Sequence, residues 1–63
     1  MVIVVTFKGD EFRYHGTIEV VQMPSSTWVR ANECQCPGYP REKMNGSWDN
    51  FEAGEIKEIK GRQ

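Results

Sequence analysis

Sixty-three residues, 38% hydrophobic and 27% charged, make one small domain, 1–63, that buries only about 60% of the surface its unfolded chain exposes. That length excludes a doubly wound sheet, a barrel of βα units and a separate cofactor domain. Eight Lys and Arg against nine Asp and Glu give a formal charge of −1; the signs are interspersed, leaving no basic face to hold duplex DNA by counterion release.

The chain opens on Val2-Ile3-Val4-Val5-Thr6-Phe7, β-branched almost throughout, which predicts a strand with apolar residues on both faces. It is too short to span a bilayer and lacks the basic start and apolar run of an export signal, so a cytoplasmic protein without membrane contact is expected. Cys34 and Cys36 are then expected to be reduced thiols, since the one-residue spacing would close only a very small ring. Asn45-Gly46-Ser47 matches a glycosylation sequon, which has no meaning outside a secretory context.

Lys8-Gly9-Asp10-Glu11 supplies a turn. From Phe12 to Val20 the even positions are Phe12, Tyr14, Gly16, Ile18 and Val20, and the odd positions between them are Arg13, His15, Thr17 and Glu19. This period of two predicts a long strand with one face on a core, placing Phe12 and Tyr14, with Phe7 before them, inward. Gly16, in mid-strand, predicts a sharp bend of the kind that lets one strand serve both halves of a curled sheet.

Pro24-Ser25-Ser26 ends that strand. Thr27 to Asn32 predicts a third, with Val29 and Ala31 inward and Arg30 and Asn32 outward. Glu33 to Ser47 shows no period and predicts a long loop. Asp49 and Glu52 have capping-box spacing, which predicts one helical turn over 49–53, stopped by Gly54. For Glu55 to Lys60 the three-residue spacing of Ile56 and Ile59 suits a short helix, but six residues between glycines are marginal for one, so a last strand carrying a bulge is favoured.

The chemistry-bearing residues are few. Two cysteines and His15 fall short of a tetrahedral zinc set, and no nucleophile, base and oxyanion constellation is visible. No catalytic residue, metal ligand or cofactor is therefore assigned, and the chain is read as no enzyme. Pro37-Gly38-Tyr39-Pro40 has proline-rich spacing that reads first as a stiffened loop. The aromatic residues in or beside irregular segments are more informative. Trp28, Tyr39, Trp48 and Phe51, with Arg30, Arg41 and Lys43 near them in sequence, form the candidate binding set, because aromatic rings beside cations serve both as protein hot spots and as base-stacking platforms.

The expected architecture is a small all-β domain. It is an SH3-like or OB-like partly open barrel, or a curled antiparallel sheet of four to five strands, with one long loop and one short helical turn. The expected function is a non-enzymatic interaction module, a regulator, adaptor or inhibitor similar in size to small phage-encoded inhibitors. It would bind a protein partner through an exposed strand edge or the 39–51 aromatic region. A first strand greasy on both faces, left at a sheet edge, invites pairing with another chain, and a thin core favours oligomerisation, so a homodimer is expected. The second reading is a binder of single-stranded nucleic acid or a nucleotide through exposed aromatics and nearby Arg and Lys.

Overall fold

The alternation of apolar side chains along the chain is realised as five antiparallel strands: β1 (Val2–Thr6), β2 (Glu11–Met23), β3 (Ser26–Gln35), β4 (Asp49–Glu52) and β5 (Ile56–Gly61). The structure, a computed structural model, describes residues 1–35 and 47–61, and contains no helix among them. The strands form one open sheet in the order β4-β3-β2-β1-β5. One face buries Val2, Val4, Tyr14, Ile18, Val29, Ala31, Cys34 and Phe51, with Phe12, Val20, Ile56 and Ile59 packed against them. The even-numbered period of β2 therefore does what it predicts.

Gly16 sits at φ +81°, and the β2–β3 register slips there: three steps from His15 to Ile18 face only two from Glu33 to Ala31. This is a β-bulge, which bends the longer strand. It leaves the Thr17 N–H out of the ladder, and the Asn32 side chain takes it up, with Oδ1 accepting at 2.8 Å. The same slip hides the end of β3. Buried Ala31 and Cys34 are three apart, so the period looks lost after Asn32, yet Glu33 and Cys34 pair with His15 and Tyr14.

Four other expectations are corrected. Residues 49–52 are a strand, not a helical turn: Asp49–Glu52 pair with Val29–Ser26, because so short a helix is costly to nucleate while an extended segment delivers Phe51 to the core. Phe7 is 68% exposed, since it falls in the turn beyond β1 and the core face belongs to Val2, Val4 and Thr6. Cys34 is disulfide-bonded rather than a reduced thiol. Finally, β1 is not an edge strand; it pairs with β2 on one side and β5 on the other. The strand expected over 55–60 is present as β5, with a register shift opposite Val5 and Thr6.

The true edges are β4, only four residues long, and β5, whose exposed side chains include Lys57, Glu58 and Lys60. Short length and edge lysines are the usual protections against strand addition. An edge-pairing route to a partner thus loses its main support.

A candidate aromatic groove on the outer face

Beyond the bulge, β2 and β3 continue as a hairpin whose outer face carries a different chemistry from its sequence neighbours. Val21 pairs opposite Trp28, Glu19 opposite Arg30, and Met23 opposite Ser26. Opposed residues share a face, so Val21 and Trp28 lie together on the side away from the core. Trp48, just before β4, closes the set, because Asp49 and Asn50 pair with Val29 and Trp28. Val21, Met23, Trp28 and Trp48 line a shallow groove of about 320 Å³. Val21, Met23 and Trp48 are 41%, 55% and 38% exposed.

The rings are held rather than loose. Trp28 Nε1–H donates to Ser26 Oγ at 3.1 Å. Arg30 lays its guanidinium over the Trp48 ring, 4.6 Å from the centroid, a cation–π arrangement. The guanidinium is itself fixed by two bonds to Glu19 Oε1, from Nε at 2.8 Å and Nη2 at 2.6 Å. Glu19, Arg30 and Trp48 thus form one chain that sets the angle of the outer tryptophan.

The sequence-derived binding set separates on this geometry. Trp28, Arg30 and Trp48 come together at the groove. Phe51 goes to the core, 2% exposed, with its ring edge-on to Phe12 at 4.9 Å, because β4 pairing turns it to the inner face. Tyr39, Arg41 and Lys43 lie outside the described residues. Val21 and Met23 were missed. Their signal was present: the odd positions of β2, polar from Arg13 to Glu19, turn apolar at Val21 and Met23.

A second polar cluster lies inside. The fully buried Tyr14 donates its Oη–H to Asp49 Oδ2 at 2.9 Å, and Cys34 Sγ lies 3.8 Å from the same oxygen; a disulfide sulfur carries no proton, so this second approach is a contact. Burial pushes the Tyr14 phenol well above its ordinary value, and the Asp49 charge and hydrogen bond push it further. The pair ties β4 to β2 across β3. Above about pH 10 the unfolded phenol ionises while the folded one keeps its proton, so stability is full below that pH. It then falls by about 1.4 kcal/mol per pH unit from this residue alone. Denaturation of wild type and Tyr14→Phe as a function of pH checks this. The variant is expected to lose about 1.5–3 kcal/mol at neutral pH, for a hydrogen bond to a charged group, and to show a shallower alkaline decline.

Among the described residues no three His, Cys, Asp or Glu side chains converge as a metal site, and no helix is long and apolar enough to cross a membrane. Comparison with known protein families, with curated proteins and with solved structures finds no match to this chain.

Proposed function

We propose that this chain is a small non-enzymatic interaction module that binds a protein partner through the Trp28–Trp48 groove. The observation that carries the reading is the convergence of Val21, Met23, Trp28 and Trp48 on one open face, beside an arginine stacked on the outer ring. Single exposed apolar residues are ordinary, but a contiguous patch rimmed by polar groups marks a contact surface. Tryptophan and arginine are the residues that most often carry binding energy in such surfaces. We read the open five-stranded sheet, a meander from β1 to β4 with β5 returning to β1, as an SH3-like or OB-like partly open barrel.

A single-stranded nucleic acid would also stack on exposed indoles. The groove favours a protein, because Arg30 is already paired with Glu19, and Glu52 and Asn50 are the other polar residues set opposite Ser26 and Trp28. The test compares wild type with Met23→Glu and with Lys57→Glu, a control on β5. A partner captured from the native source by wild type and the control, and lost at least tenfold with Met23→Glu, supports the reading. Equal capture by all three contradicts it. Quenching of the tryptophans by oligo-deoxythymidine, reversed by salt, would move the function to nucleic acid.

A further inference from the structure

The outer face at the other end of the sheet carries a pattern that the groove does not use. On β1, Ile3 and Val5 point away from the core, which Val2, Val4 and Thr6 face, and both are only half-buried. Register fixes their neighbours. Ile3 lies between Arg13 on β2 and Lys60 on β5, and Val5 lies between Glu11 and Glu58. Two rows therefore cross three strands side by side, Lys60-Ile3-Arg13 and Glu58-Val5-Glu11: basic, apolar, basic beside acidic, apolar, acidic. Met1 and Phe7, which flank β1 in the chain, are also exposed.

This pattern is its own complement. A two-fold axis lying in the plane of contact, parallel to the rows and midway between them, exchanges the rows while keeping each strand over its counterpart. Lys60 then meets Glu58 of the second copy, Arg13 meets Glu11, and Ile3 meets Val5, each contact occurring twice. We propose that a second copy of this chain docks on the β5-β1-β2 outer face in this register, as an isologous dimer. The dimer expected from the sequence cannot form by strand addition at β1, since both of its edges are occupied; a face-to-face contact uses the same greasy residues without breaking the sheet. In the single chain Arg13 Nη2 already donates to Glu11 Oε1 at 3.1 Å. That exposed pair holds little energy, and in the dimer it becomes part of a four-charge group. The contact is separate from the Trp28–Trp48 groove, so either reading can fail alone.

Three strands at about 4.8 Å spacing and seven residues at about 3.3 Å each span a footprint of only about 300 Å². This is well below the ~800 Å² per partner of a standard interface. The dimer is accordingly weak and salt-sensitive, forming at high concentration and low ionic strength. Sedimentation of the full chain up to about 1 mM tests it. Lys60→Glu sets like charges face to face at both symmetric contacts and is expected to weaken association at least tenfold. Glu58→Lys does the same. The double swap Glu58→Lys/Lys60→Glu restores complementarity and should return the affinity to within about threefold of wild type. Mixing the two single variants should also restore it. Circular dichroism confirms folding, and the equivalent swap of Glu11 and Arg13 provides the same readout should the β5 variants unfold. A wild-type chain that stays monomeric at about 1 mM in low salt overturns the proposal, as does a double swap no tighter than the singles.

Discussion

Phe51→Ala is expected to lower stability by about 3–5 kcal/mol, the usual cost of emptying a phenylalanine-sized site in a packed core. A domain of 63 residues holds in total about 3–9 kcal/mol, so the variant is expected to be largely unfolded or close to it. The ring is 2% exposed and packs edge-on against Phe12, and it sits on a four-residue strand whose ladder partner among the described residues is β3. Losing it removes the main apolar reason for β4 to dock. Trp48→Ala, three residues earlier, is expected to cost less than about 1 kcal/mol, because that ring is 38% exposed on the outer face. Urea denaturation of the two variants checks the contrast. Equal losses would mean that the core and contact roles assigned to these aromatics are wrong.

The second large effect belongs to Gly16. Its φ of +81° is a conformation that costs a residue with a Cβ about 1–2 kcal/mol. The space a Cβ would need is taken by the Asn32 side chain, whose Oδ1 and Cγ it would strike. Asn32 cannot simply withdraw, because its Oδ1 accepts the Thr17 N–H that the bulge leaves over. Gly16→Ala is therefore expected to cost about 2–4 kcal/mol, summing backbone strain, the clash and a lost hydrogen bond. At about 4–8 °C per kcal/mol for a domain this size, the melting temperature should fall by roughly 8–30 °C. Asn32→Ala alone is expected to cost about 1 kcal/mol. The double variant should be less damaged than the sum of the two, since removing the amide relieves the clash. Additive losses would show that the two residues do not share one space.

Gly16 also explains which parts of the fold could be read from the residues. The alternation from Phe12 to Val20 is local, so it exposes β2 and its core face directly. The consequence of the bulge is not local. It shifts β3 against β2 so that Cys34, out of phase with Val29 and Ala31, is still buried. Periodicity alone ends the third strand too early. The placement of β1 is hidden for a related reason. Its apolar residues on both faces are compatible with either an edge or an interior position. What decides is the pairing of Ile3 with Lys60 and Val4 with Ile59, between opposite ends of the chain. Asp49 and Glu52 mislead through real capping chemistry. Asp49 instead accepts from Tyr14, thirty-five residues away, and the Glu52 N–H is taken by Glu55 Oε1 at 2.9 Å.

The groove was legible by half. Trp28, Arg30 and Trp48 are conspicuous by residue type, and the structure brings them together. Val21 and Met23 are inconspicuous as types and become meaningful only once β2 is known to run to Met23 and to pair Val21 with Trp28. Phe51 was grouped with them by sequence proximity, but one step of strand alternation separates inner from outer face. Residue type suggests which groups can bind; register decides which of them share a surface.

The measurement closest to the central claim is the amide and indole NMR spectrum of the isotope-labelled chain as the captured partner is added. Binding through the outer hairpin face predicts the largest shifts at residues 19–30 and 48–50, led by the indole N–H signals of Trp28 and Trp48. Shifts concentrated on the β5 edge, Ile56–Gly61, with both indole signals unmoved, would contradict the account and return the contact to a strand edge.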